Sequence, residues 1–377
     1  MRELRVLQVV TIMNRGGLET MLMNYYRRLI HVGIQFDFIV HRQEEGHYDK
    51  EIKRLGGRIF HMPSIRPGNY QKYFKQLDAF FAEHPYYRIV HAHLNENSSF
   101  IMRAAYDAGV PCRIAHSHLS DLHMDFKWLF RKYARLCMKE YPNYYFACSE
   151  RAGDWLFKSS SKSEVTVLPN AVDVSQYLYH LPERKRIRRE LGVDDSFVIG
   201  HIGRFNYQKN HDLIIDIFQS ICDKKKNAVL ILAGDGDLMP QIKKKVQKLG
   251  LEQQVKFLGV REDVPSLLQS FDVFLFPSHF EGLPVVLIEA QAAGLSCLVS
   301  DTITAEVDLT NRVTFMSLSS KAYEWANKLL QLDNQHKDTS KELKVAGYDI
   351  ETTSQWLATF YNEYNDIESH VSGANIR

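Results

Sequence analysis

Short apolar runs and helix-compatible segments alternate along this chain in two successive sets. That rhythm constrains the architecture more than any other feature. The first set reads VLQVV (6–10), a helical stretch from Glu19 to about His31, FDFIV (36–40), a helix around 48–55, RIF (58–60), a helix around 70–83, IVHAH (89–93) and CRIAHS (112–117). The second reads FVIGHIGRF (197–205), NAVLILAG (227–234), VKFLG (255–259), DVFLFPS (272–278) and SCLVSD (296–301), with helices between. Strands spaced by helices form right-handed βαβ units and hence parallel sheets. At 377 residues the chain exceeds what one core supports, so two domains are expected. The Pro-Asn turn signal in LPNAVD (168–173) marks the join. The predicted fold class is α/β: two Rossmann-like doubly wound domains in tandem, with a cleft between them.

Composition narrows the function classes. Residues 1–168 carry 24 Lys and Arg against 17 Asp and Glu, whereas the remainder carries 23 against 28. A basic first half and an acidic second half suit two domains with different partners. Nucleic acid is not among them, because no nucleic-acid-binding motif is present. No apolar run reaches the ~18 residues that span a bilayer. The start, MRELRVLQVVTIM, reads as a buried strand rather than a signal peptide. The 5 cysteines lack metal-ligand spacing, and Cys112, Cys148 and Cys297 sit beside apolar residues, as reduced cytoplasmic thiols do.

Residues 272–301 carry the densest chemistry. Val273–Phe276 reads as a buried strand, and Pro284 suits the first turn of a helix over Val285–Ala293, stopped by Gly294. Glu281 then lies in the loop after a strand and Glu289 on the following helix. Ligands of open α/β sheets bind at that edge, where a helix start also offers N–H groups to an anion. A carboxylate there repels phosphate but accepts from hydroxyls. The site therefore suits a ligand that is part phosphate and part polyol.

The string Phe-Pro-Ser-x-x-Glu-Gly-Leu-Pro, with Glu289 eight positions after Glu281, resembles the signature of the retaining nucleotide-sugar glycosyltransferases of family 4. That resemblance implies the GT-B fold, an acceptor-side domain over 1–168, a nucleotide-sugar domain over 169–352, and a terminal helix within 353–377 returning to the first domain. Trp356, Leu357, Phe360 and Tyr361 supply the helical spacing for that return. Gly203-Arg204-x4-Lys209 resembles the family's diphosphate clamp, and a planar fork with a point charge suits two phosphates. Gly16-Gly17, just before a helix, resembles its glycine loop on the other side of the diphosphate. Val260 and Arg261 match the positions that meet the base, Val260 through its backbone and Arg261 against the ring face. Glu289 would take the ribose hydroxyls and Glu281 those of the sugar. The backbone of Gly282, Leu283 and Pro284 lies between, with N–H donors at the first two only. The family also places a histidine beside the reacting carbon; Ile114-Ala115-His116 fits, and His118 is its neighbour.

The implied reaction moves a hexose or N-acetylhexosamine from a UDP-sugar to an acceptor hydroxyl of a saccharide or lipid-linked saccharide. It proceeds with retention and without metal or cofactor, in bacterial exopolysaccharide or capsule assembly. Two His-x-His pairs, His91/His93 and His116/His118, invite a metal reading, but only Asp121 is spaced as a companion carboxylate. Asp235-Gly-Asp237 reads as a strand-to-helix turn. Segment 124–141 is a basic amphipathic helix, with Lys127, Arg131, Arg135 and Lys139 at i+4 spacing. It is either a solvated face or a contact with anionic lipid, which would put the cytoplasmic protein at the inner membrane face. Two rival readings remain. A nucleotide-sugar epimerase of the same fold needs no acceptor and leaves the basic helix without a partner. A non-catalytic nucleotide-sugar-binding module is opposed by the joint presence of Arg204, Lys209, both glutamates and His116.

Overall fold

The computed structural model describes residues 3–65, 68–118, 140–157 and 165–365, together with Ala134 and Met138. Segment 124–141, and with it all four cations of the predicted basic helix, lies almost wholly outside these residues. The chain divides into two compact units, one of 1–171 with 350–377 and the other of 172–349.

The first unit is built on a seven-stranded parallel sheet. Its strands are β1 (Leu4–Val10), β2 (Ile34–Val40), β3 (Ile59–His61), β4 (Ile89–Ala92), β5 (Cys112–Ser117), β6 (Tyr144–Ala147) and β7 (Val165–Val167), in spatial order β3-β2-β1-β4-β5-β6-β7. β6 and β7 extend the sheet beyond the strands expected from sequence. β2 is buried at every position, as expected for a strand covered on both faces. The helix Gly17–Leu29 follows β1, with Glu19 in its first turn and Arg27 and Arg28 in its last, the charge placement its dipole favours. The helix Ile350–Asn362 packs against it, inserting Leu357 and Tyr361 into the same core while Trp356 stays partly exposed beside Phe146 and Phe360.

The second unit carries six parallel strands: β8 (Phe197–Ile202), β9 (Ala228–Ala233), β10 (Val255–Gly259), β11 (Val273–Phe276), β12 (Ser296–Ser300) and β13 (Val313–Met316). Their order is β10-β9-β8-β11-β12-β13. β13 follows the TITAEVDLTNR segment and was not foreseen. No helix among the described residues is long and apolar enough to cross a membrane.

In each sheet the strand order reverses once, between β1 and β4 in the first and between β8 and β11 in the second. At such a point the two connections leave toward opposite sides, opening a crevice beyond the carboxyl ends of the strands.

Candidate active site

In the second unit, the loops after β8 and β11 meet at the switch point. The β8 loop runs through Gly203 and Arg204 into a 3-10 turn, Tyr207–Lys209, where the Asn206 side chain accepts from the Lys209 N–H at 3.2 Å. The Lys209 ammonium lies 2.6 Å from Glu281 Oε1, and Gln208 Nε2 donates to Glu281 Oε2 at 3.1 Å. The two loops are also tied by the His279 N–H, which donates to the Gln208 carbonyl at 2.8 Å. Lys209 stands over the Phe276 ring at 4.5 Å, a cation–π contact that holds the ammonium at the strand end. Arg204 is exposed, and its guanidinium has no ion-pair partner among the described residues.

Glycine is required where this loop meets the next. A Cβ on Gly234, which sits at φ 136°, would lie 2.1 Å from the Gly203 carbonyl oxygen. The Asp235-Gly-Asp237 segment is thus a tight turn packed against the β8 loop, with the Phe205 N–H donating to the Asp235 carbonyl at 2.9 Å.

After β11 the chain turns through Gly282, Leu283 and Pro284 into the helix Val285–Ala292. Pro284 is the N-cap rather than a first-turn residue, its extended ψ of 116° placing it just before the helix. Glu289 is one turn inside that helix, and the Tyr177 hydroxyl donates to its Oε1 at 2.9 Å. Burial pushes the Glu289 carboxyl up to about 7, with the Tyr177 hydrogen bond opposing the rise. Val260 is exposed beyond β10. Arg261 is held in a forked pair with Asp263, at 2.7 and 2.6 Å, which fixes the guanidinium plane.

In the first unit, the loop after β1 carries Gly16 as N-cap of the helix beginning at Gly17. The sequence left this helix start open to a phosphate. In the structure the chain's own Glu19 carboxylate folds over it: a Cβ on Gly16 would stand 2.2 Å from Glu19 Oε2. An incoming anion must therefore move Glu19.

The histidines form one cluster. Gln8 pairs in register with His91, and Ala92 pairs with Ala115, so with a side-chain period of two His91, His93, His116 and His118 share a face. His91 Nε2 is 3.0 Å from His116 Nδ1, and His93 Nδ1 is 2.9 Å from His118 Nε2. His91 Nδ1 meets the Tyr361 hydroxyl at 2.8 Å and His93 Nε2 meets Gln8 Oε1 at 2.9 Å. Burial holds all four imidazoles below their usual range and therefore neutral near pH 7. His116 Nε2 is buried and has no hydrogen-bond partner among the described residues. One ligand nitrogen each of His91, His93 and His116 lies within 4.8 Å of the others, close enough to share an ion. Against an ion, four imidazole nitrogens are already paired with one another, and no carboxylate among the described residues belongs to the group.

Sequence reasoning missed Tyr177, Gln208, Gln8 and Tyr361 as partners of the site residues. Only Gln8 had a local signal, as the one polar residue in VLQVV.

Residues 183–347 match the family described as glycosyl transferases group 1, and residues 15–176 match glycosyltransferase family 4. EpsF of Bacillus subtilis (strain 168), named as a glycosyltransferase, is 37% identical over 370 residues, covering 95% of this chain and 96% of that one. The capsular polysaccharide biosynthesis glycosyltransferase CapH of Staphylococcus aureus is 24% identical over 372 residues, covering 95% and 98%. The crystal structure of Anabaena HepE in complex with UDP and glucose superposes with a TM-score of 0.75 at 20% identity, covering 95% and 99%.

Proposed function

From its membership of glycosyltransferase family 4, with the GT-B fold, we propose that this chain transfers a hexose or N-acetylhexosamine from a UDP-sugar, with retention, in exopolysaccharide or capsule assembly. The observation that carries the reading is the Lys209–Glu281 pair at the switch point of the second sheet, with Glu289 on the helix that follows the Glu281 loop. A cation for phosphate and two carboxylates for hydroxyls are what a nucleoside diphosphate sugar demands. The UDP in the HepE complex supports uridine as the base.

In this reading the bond between the sugar C1 and the phosphate oxygen breaks while an acceptor hydroxyl oxygen attacks C1 from the same face. The departing phosphate takes the acceptor proton, and Arg204 and Lys209 stabilise the negative charge that grows on it. Glu281 accepts from sugar hydroxyls once Lys209 turns toward the phosphate. Gly282 and Leu283 offer backbone N–H groups, and Glu289 accepts from the ribose. Val260 meets the base through its backbone and Arg261 covers its ring face. Gly16 and Gly17 approach the diphosphate after Glu19 moves aside, and His116 contacts the donor sugar. His116 is the histidine whose place at the end of β5 matches the family pattern, and its Nε2 has no partner among the described residues.

A panel of UDP-, GDP- and ADP-sugars in a thermal-shift assay tests the donor, because a ligand bound only by the folded state raises its melting temperature. Stabilisation by UDP and UDP-sugars alone is expected. Preference for another base overturns the assignment.

A further inference from the structure

The four histidines form two files across one face of the first sheet, and one of them runs from a phenol to a buried imidazole nitrogen without a partner among the described residues. Gln8, His93 and His118 make one file. Tyr361, His91 and His116 make the other, with contacts of 2.8 and 3.0 Å, ending at the buried His116 Nε2. A neutral imidazole carries one N–H and one lone pair, so a proton fixed at one end of the file fixes every ring along it.

The end is fixed by chemistry. Tyr361 is fully buried, and its hydroxyl faces His91 Nδ1. A phenol is a good donor and a poor base, whereas the imidazole lone pair is a good acceptor. The proton therefore stays on the tyrosine, and His91 Nδ1 accepts. His91 must then carry its hydrogen on Nε2 and donate to His116 Nδ1, which leaves the His116 hydrogen on Nε2. We infer that Tyr361, on the helix Ile350–Asn362, acts through His91 to lock His116 in the tautomer whose free Nε2 is a hydrogen-bond donor. Tyr361 and His91 are thus positioning residues.

The inference rests on the reading of His116 as the residue that meets the donor sugar, and it makes that role specific. A locked Nε2–H cannot take a proton from the acceptor hydroxyl. It can only donate, to an oxygen of the sugar or its phosphate. It also gives the terminal helix a part in the chemistry, since Tyr361 lies 270 residues from His91 in sequence.

The test is a long-range 1H–15N correlation spectrum of the full chain labelled at histidine, with His116 assigned through His116→Gln. The Nε2–H pattern is expected at His116 in the wild type. In Tyr361→Phe the His91 lone pair loses its donor, so the Nδ1–H form of His116 should become populated. Turnover should then fall about tenfold with little change in KM for the donor. Should that variant not fold, the wild-type spectrum alone decides. A proton on His116 Nδ1, or a stoichiometric metal ion whose removal shifts the His91 and His116 signals, overturns the relay. An unchanged spectrum in folded Tyr361→Phe does so as well. If His116→Ala keeps full turnover while the wild type shows Nε2–H, the relay stands and the sugar-contact reading fails instead.

Discussion

Lys209 and Glu281 form a 2.6 Å ion pair that joins the β8 and β11 loops across the strand-order reversal of the second sheet, with side chains 15% and 7% exposed. The residue assigned to phosphate and the residue assigned to sugar hydroxyls thus hold each other in place. Both loops are positioned before any ligand arrives, and the pair must open for each partner to meet its own group.

Breaking a buried pair from one side leaves the other charge uncompensated, at a cost of about 3–5 kcal/mol. Lys209→Ala and Glu281→Ala should each lower the melting temperature of the second unit. The double variant Lys209→Met with Glu281→Gln should recover most of the loss. Thermal unfolding of the four proteins checks this; additive losses would mean the pair is not coupled.

Arg204 is exposed and unpaired among the described residues, so its loss should show in chemistry and not in folding. Arg204→Ala is expected to reduce kcat by about 10²-fold or more while moving the melting temperature little. Steady-state kinetics alongside a melting curve separates the two effects.

Glu289 gives a pH signature. Its folded carboxyl is raised to about 7 from 4.5, so the folded state holds the proton more tightly than the unfolded chain. The stability this contributes is present in full below pH 4.5 and lost as pH rises through about 7, by up to ~3 kcal/mol. Glu289→Gln should therefore be more stable than the wild type at pH 8 and similar at pH 5. Ribose hydroxyls favour the ionised acceptor, so UDP should bind more tightly as pH rises through 7 and release a proton. Calorimetry in buffers of different ionisation enthalpy counts that proton, and Glu289→Gln should abolish it.

The basic face spelled by Lys127, Arg131, Arg135 and Lys139 yields a prediction that needs only the sequence. If it meets anionic lipid, each cation contributes about 1 kcal/mol, screened by salt over about 8–10 Å. Replacing all four with Glu should leave UDP affinity intact and end sedimentation with anionic vesicles. A wild type that ignores such vesicles at low salt makes this a solvated face.

The fold was legible because both sheets are parallel and buried, so their strands read as apolar runs with helices between. β6, β7 and β13, of 4, 3 and 4 residues, were not read, although β3, β4 and β11 are as short, so length alone does not separate them. The candidate residues were legible where a glycine or proline turn places them at a sheet edge, as at Gly203–Lys209 and Glu281–Pro284. Their partners were not. Tyr177 reaches Glu289 across 112 residues, and Tyr361 reaches His91 across 270, contacts made by tertiary packing alone. The Glu19 side chain folded over the helix start at Gly16 is likewise a contact that residue spacing does not show.

The most direct test of the account follows the anomeric carbon. With a UDP-sugar labelled at C1 and a saccharide acceptor, NMR in excess EDTA should show the α-anomeric donor signal replaced by an α-glycosidic one, with release of UDP. Arg204→Ala should be about 10²-fold slower. A β-linked product, or turnover that stops in EDTA and returns with Mn²⁺, would contradict the metal-free, retaining mechanism proposed here.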